Sequence, residues 1–506
     1  MAKIFDKIQI TREASNNFDL SHDVKMTGKM GLLMPCAVIE CVPGDKMTLS
    51  SETLIRFAPL IAPVMHRMDA RVEYFFVPNR LTWSNWEEFI TLKATHQLPT
   101  INVNNGLGAE EQRLLDYLGI PPPDGSIENF DISALPSAAY QMIYNEYYRD
   151  QNLITEVPFQ LTDGDNSSNS ELYVQRRRAW EHDYFTAALP FAQKGNAVDI
   201  PLGDVTLKDD WFNNPENPFF IDDLGAIGGG NVVNTGTPQG IGINAGTQSN
   251  AYDPAGSLEV QPTTIQDLRR AFKLQEFLEK LARGGSRYIE YIKSIFGVTS
   301  SDKRLQRPEY ICGVKTPIII SEVLNTTGED GGLPQGNMAG HAISVGNGKV
   351  GSYYCEEHGY IIGILSVMPK TGYSQGVPKT FLKTDPLDYF LPQFQHIGEQ
   401  AITNQELYAW GSPAVRNDTF GYIPRYAEYK YQPPRIAGDF RSTLDYWTLV
   451  REFTAQPALN QNFIECDPSD CSRIFAVLSS EDNLFIHVVN DVRASRLMAV
   501  YGNPMI

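Results

Sequence analysis

Residues 69–78 read Asp-Ala-Arg-Val-Glu-Tyr-Phe-Phe-Val-Pro. Ala70, Val72, Tyr74 and Phe76 alternate with Arg71, Glu73 and Phe75. This period of two sends the two sets of side chains to opposite faces of a strand. Valine and the aromatics suit a pleated, half-buried surface. Pro78 carries no N–H for a ladder, so the strand ends there.

The same reading extends outward. Residues 32–42 are apolar apart from Glu40, and Pro43-Gly44-Asp45 then marks a turn. Further strands are expected at 316–320, 360–368, 473–478 and 484–489. Between these two groups the period changes. Ser84 and Glu87 form a capping-box pattern ahead of Trp86, Phe89 and Ile90. A second helix covers 110–118, stopped by Gly119 and the proline run 121–123. A third covers 136–149, with Pro136 in its first turn. The clearest helix begins after Thr263 or Thr264. Its stripe of Ile265, Leu268, Phe272, Gln275, Leu278 and Leu281 ends at Gly284-Gly285. Another runs over 286–296 and stops at Gly297.

Strands from distant parts of one chain, with insertions between them, predict a mainly β protein. The expected fold is a single eight-stranded antiparallel jelly roll with large helical and loop insertions. Strands divided between two domains are the alternative. The expected organisation is an N-terminal arm and first strands over 1–90, insertions over 91–300, and remaining strands with a C-terminal arm over 301–506. Residues 222–256 are dominated by Gly, Asn, Thr, Pro and Gln, too polar to bury much surface. They read as an exposed loop and a candidate surface protrusion, with Gly228, Gly229, Gly230, Asn231, Gly240, Gly242, Asn244 and Gly246 as its most permissive positions.

The bulk composition agrees. The chain has 506 residues, 42% of them hydrophobic, with 40 Gly and 32 Pro, so there is material for a large core and many turns. The net charge of −18, from 42 Lys+Arg against 60 Asp+Glu, argues against a surface that grips nucleic acid everywhere. A local basic patch stays possible, and Arg176-Arg177-Arg178 is the densest basic run. It reads either as a solvated turn or inter-subunit ion pairs, or as a nucleic-acid-facing site. A second basic set (Arg269, Arg270, Lys273, Lys280, Arg283, Arg287, Lys293) is interleaved with acids and reads as helix-surface pairing. The first residues hold no apolar signal core, and no run approaches the ~18 apolar residues that span a bilayer. The expectation is a chain neither exported by a visible signal nor anchored to a membrane.

Chemical motifs are few. Gly372-Tyr373-Ser374-Gln375-Gly376 fits the nucleophile-elbow pattern, which needs a helix directly after the serine. Pro378 opposes one, so a plain turn is the better reading. A serine hydrolase using Ser374, with Asp385 and His396 downstream, is kept only as an alternative. Cys36/Cys41 and Cys466/Cys471 have spacings at the edge of the zinc range, with no histidine at the usual offsets. They read as free or structural thiols. Asp163-Gly164-Asp165-Asn166-Ser167 begins like a calcium loop, but Ser168 and Val174 occupy its glycine and glutamate positions. The expectation is no enzyme, no cofactor and no bound metal. A carbohydrate-binding or adhesive β-sandwich is the other class left open.

Several longer strings carry a resemblance. Asn17-Phe18-Asp19-Leu20-Ser21-His22, the run 56–63, and Tyr74-Phe75-Phe76-Val77-Pro78-Asn79-Arg80 begin it. Asn145-Glu146-Tyr147-Tyr148-Arg149-Asp150, the run 282–288 and the run 304–310 continue it. Glu357-His358-Gly359, Gly398-Glu399-Gln400, Phe420-Gly421-Tyr422 and Tyr426-Ala427-Glu428-Tyr429 complete it. In this order the chain resembles the major capsid proteins of microviruses, bacteriophages of the family Microviridae, especially the gokushovirus-like branch. Trp447-Thr448 departs from a Trp-His pair, and 372–376 from a Tyr-x-Gln-Gly form. The resemblance implies a structural protein of the virion, assembled in the host cytoplasm as sixty copies in a T=1 icosahedral shell around circular single-stranded DNA (ssDNA). It also implies as partners the chain itself, the packaged ssDNA, a pilot protein, a small basic DNA-associated protein, an internal scaffolding protein and a host-cell receptor, with no membrane.

Overall fold

The structure is a computed structural model that describes residues 14–104, 106–123, 129–199, 205–207, 219–221, 233–234, 241–242, 250–252, 258–260, 264–324, 336–348, 350–477 and 481–501. The chain divides into two compact units, Met1–Ala192 with Leu281–Ile506, and Gln193–Lys280.

The first unit is built on antiparallel sheets. Five strands precede the insertions: β1 (Asn16–Asp19), β2 (His22–Gly28), β3 (Met34–Cys41), β4 (Lys46–Phe57) and β5 (Met68–Pro78). After them the two main sheets take up β6 (Glu309–Pro317), β7 (Ile319–Leu324), β8 (Met338–Asn347), β9 (Gly351–Tyr354), β10 (Gly359–Pro369) and β11 (Leu484–Arg496), while Glu399–Thr403 and Thr419–Pro424 pair separately. One sheet runs β11-β4-β8-β7, with β1 and β2 both on the outer edge of β11 and β9 on β4. The other runs β6-β5-β10-β3. The turn from β3 to β4 crosses between sheets through Gly44, at φ +96°, where a side chain would be strained. Asp45 holds this turn by accepting from the Val42 N–H at 3.1 Å.

The alternation in β5 now has its cause. Ala70, Val72, Tyr74 and Phe76 face the core between the sheets, with Met47, Leu49 and Ile55 of β4 and Ile486 and Val488 of β11. Phe75 and Val77 face the other way. They pack with Ile362 and Ile364 of β10 against Tyr140, Ile143 and Tyr144 on the helix Leu135–Ile143 and the turn after it. Both faces of β5 are therefore covered at its C-terminal end, and each such large side chain contributes roughly 1.5–3 kcal/mol by burial.

Several expectations are corrected. Residues 473–477, the described part of the expected 473–478 strand, are not a strand: 3-10 helix Pro468–Ile474 turns Cys471 and Ile474 inward at a spacing of three, and Phe475 makes only a single bridge to Leu60. Residues 316–320 are two strand ends, because the chain passes from β6 in one sheet to β7 in the other at Ile318. The helix over 136–149 ends at Ile143 and continues as a wider turn, Tyr144–Tyr148. Ser84 does not cap the next helix. Asn85 holds that position, before Trp86–Ile90, and makes no side-chain cap. Strand β4 went unanticipated because Ser51 and Thr53 occupy the middle of its buried row.

In the second unit, residues 222–256 are not wholly without strands. Phe219–Ile221 pairs with Asn250–Tyr252, and Val233–Asn234 with Ile241–Gly242, nested inside the pairing of Val205–Leu207 with Leu258–Val260. Gly242 lies in one of these rungs. Gly228, Gly229, Gly230, Asn231, Gly240, Asn244 and Gly246 lie outside the described residues. Most of the helix Ile265–Gly284 also belongs here, opened by Thr264, whose hydroxyl accepts from the Asp267 N–H at 3.1 Å.

Candidate functional site

The arginine triplet runs beside the segment that enters β3. Leu33 donates to the Arg176 carbonyl at 3.0 Å, and the Arg178 N–H donates to the Gly31 carbonyl at 2.7 Å. Alternation along this extended stretch separates the three side chains. Arg176 pairs with Glu171 at 2.6 Å, donates to Gln141 at 2.7 Å, and lies over the Tyr144 ring. Arg178 pairs with Glu73 of β5 at 3.2 Å, donates to Ser366 at 2.5 Å, and lies over the Tyr148 ring. Their side chains keep 13% and 12% exposure, whereas Arg177 keeps 43% and pairs with Asp467 at 2.6 Å. The triplet thus places one guanidinium at the surface and two inside a web of carboxylates and rings.

A denser cluster, which sequence spacing did not reveal, gathers around Glu181. Lys315 lies 3.1 Å away, and Arg71 and Lys370 also pair with it. Burial alone would raise the Glu181 carboxyl, but hydrogen bonds from Lys370 and Lys315 and the charge of Arg71 hold it down to about 2. Register explains the gathering, since Lys315 on β6 stands directly opposite Arg71 on β5. Glu181 joins them from a position more than a hundred residues from either.

Ser374 is buried, and it follows the Tyr373 bridge in a bend rather than leading into a helix. The next helical turn is Lys379–Phe381. Among the cysteines, Cys466 and Cys471 stand 3.8 Å apart, sulfur to sulfur, both buried. Burial and the facing thiol push Cys466 well above the ordinary thiol range. Among the described residues no cluster of His, Cys, Asp and Glu could hold a metal ion, and no helix is long and apolar enough to cross a membrane. Three members of the second basic set pair locally, with Glu276 taking Lys273 at 2.6 Å and Lys280 at 3.0 Å, and Arg287 taking Glu290 at 3.3 Å, whereas Arg283 pairs with the distant Glu399.

Several large apolar side chains remain at the surface. Ile265, Phe272, Tyr288, Phe296, Ile319, Val345, Phe381 and Trp410 are each more than half exposed. Side chains of this size left in water mark surfaces made for other proteins. An antiparallel sheet sandwich that leaves large apolar side chains at its surface fits a building block.

The comparisons agree with that class. The family model "Capsid protein (F protein)" matches residues 6–506, and the chain belongs to this family. It is 37% identical to capsid protein VP1 of Bdellovibrio phage phiMH2K, over 99% of this chain and 97% of that protein. It is 32% identical to capsid protein VP1 of Chlamydia phage 1, over 100% and 98%. With capsid protein VP1 of Spiroplasma virus 4 the identity is 27%, over 96% and 94%. The microvirus resemblance carried by the motif strings therefore holds along the whole chain. The protein is a structural capsid protein and not an enzyme.

Proposed function

We propose that sixty copies of this chain close into a T=1 icosahedral shell around circular ssDNA, with one eight-stranded jelly roll per copy as the wall. The observation that carries this is the strand order. Numbering the eight long strands β2, β3, β4, β5, β6, β8, β10 and β11 from one to eight, one sheet reads one-eight-three-six and the other two-seven-four-five. That order supports reading the sheets as the double Greek key of a viral jelly roll, with β1, β7 and β9 as short additions.

Three narrower readings accompany it. Residues 222–256 form a protrusion on the outer surface, gathered at the threefold axes, where a composition poor in charge costs nothing in DNA packing. Of the triplet Arg176, Arg177 and Arg178, Arg177 is the residue available to packaged DNA. The net charge of −18 leaves most phosphate neutralisation to a small basic partner. The pilot protein, internal scaffolding protein, host receptor and assembly in the host cytoplasm rest on the resemblance alone.

Electron microscopy of the purified protein tests the central reading. Uniform spherical shells are expected. Monomers that stay monomeric at high concentration, above all if they bind glycans, would favour the adhesive-sandwich alternative instead.

A further inference from the structure

The short helix Trp86–Ile90 ends in a motif that its sequence does not suit. Leu92 donates to the Phe89 carbonyl at 3.1 Å and Lys93 to the Glu88 carbonyl at 3.0 Å, the paired bonds that close a helix through one left-handed residue. That residue is normally glycine or asparagine, yet here it is Leu92, at φ +54°. Its side chain is also 89% exposed, and Ile90 beside it 45%. In the lone subunit both features are unfavourable: the backbone is strained and a large apolar side chain stands in water. Strain of this kind persists where a function holds it.

We infer that Leu92 is an assembly knob that inserts into an apolar socket on a neighbouring copy of this chain. The inference rests on the shell-building reading above. A knob that docks on a different patch of an identical copy makes a head-to-tail contact, the kind that generates rings. The same chain carries a socket of matching chemistry. A cavity of about 320 Å³ is lined by Ala187, Ile423, Pro424, Ala427 and Tyr431, with His182, Asp183 and Arg283 also on its wall. Lys430 stands on its lining, exposed, with its ammonium on the Arg425 carbonyl at 3.3 Å and no carboxylate paired to it among the described residues. On the knob side, Glu87 is exposed five residues before Leu92, and its charge also reaches Arg80. An acid beside the knob and a base beside the socket give the contact a charge match as well as an apolar one.

The experiment measures the lowest subunit concentration at which shells sediment, for wild type, Leu92→Gly, Glu87→Lys, Lys430→Glu and the Glu87→Lys/Lys430→Glu pair. Glycine relieves the left-handed strain, so the Leu92→Gly subunit is expected to melt at or above the wild-type temperature. Its assembly threshold is nevertheless expected to rise at least about tenfold, as losing a central contact does. Each single charge reversal raises the threshold too, and the double reversal restores it. An unchanged threshold in Leu92→Gly overturns the knob. A raised threshold that the double reversal fails to restore overturns this socket as its receptor. Wild-type protein that forms no shells at any concentration overturns the shell-building reading instead.

Discussion

The Tyr74 hydroxyl on β5 donates to Asn490 Oδ1 on β11 at 2.6 Å, tying the two sheets together inside the sandwich. Asn490 is fully buried and passes the connection on by donating to the Cys36 carbonyl at 2.9 Å. A buried amide with both ends satisfied fixes how the sheets are aligned.

Tyr74→Phe keeps the ring and leaves Asn490 Oδ1 without its donor. A loss of about 1–3 kcal/mol of stability is expected from an orphaned buried acceptor. Urea denaturation of the unassembled subunit reads it directly, and a variant as stable as wild type would show that the hydroxyl carries nothing.

The arginine triplet is expected to split by position. Glu73→Gln removes the charge facing Arg178 while Tyr148 still donates at 2.8 Å, and about 2 kcal/mol should be lost because that guanidinium is mostly buried. Arg177→Ala should change subunit stability by less than ~0.5 kcal/mol. In particles, Arg177→Ala is expected to lower DNA retention more than shell yield, read as the ratio of full to empty particles on a density gradient. An unchanged ratio with poor assembly would place Arg177 at a subunit contact.

Two groups give the stability a pH dependence of opposite sign. His96 is raised by its hydrogen bonds to Asp163 at 2.7 Å and Glu88 at 3.2 Å. With its folded pKa above the unfolded one, its contribution is complete at low pH and disappears as pH rises through the folded value. Glu181, held at about 2 against an ordinary 4.5, behaves in reverse. Its contribution is present above 4.5 and is lost as pH falls toward 2. Thermal melts of His96→Gln should flatten the neutral side of the profile, and Glu181→Gln the acid side. A profile unaltered by either substitution would rule out these pairings.

Protease treatment of intact particles is expected to cut within residues 222–256 while the shell stays whole. Protection until the particle is disrupted would put that segment inside.

The sandwich was legible where one strand face was continuously apolar. Strand β5 announced itself because its inner row holds Ala70, Val72, Tyr74 and Phe76. Strand β4 hid because hydroxyls sit mid-row, and β8 because Gly340 and Gly346 occupy buried places where side chains would signal a strand. The expected strand at 473–478 misled because an apolar run of that length has no period of its own, and its first two residues close the 3-10 helix Pro468–Ile474 instead. The arginine triplet was visible, but not its division into two buried members and one exposed. That division follows from the pairing of Leu32 with Arg177, which no local pattern encodes. Glu181 gave no signal, since its partners come from three separate strands and turns.

The place of β11 bears on how the chain comes off the ribosome. Val488 pairs with Val24 on one side and Thr53 on the other, so a strand made late lies between strands made near the start. Until it emerges, the inner row of β4 has an open flank and β2 has no partner in the sheet. Pairings across more than four hundred residues are slow and leave sticky surface exposed while the chain waits. Closure of this sheet thus waits until β11 has emerged, and each subunit becomes competent to join a shell only after that.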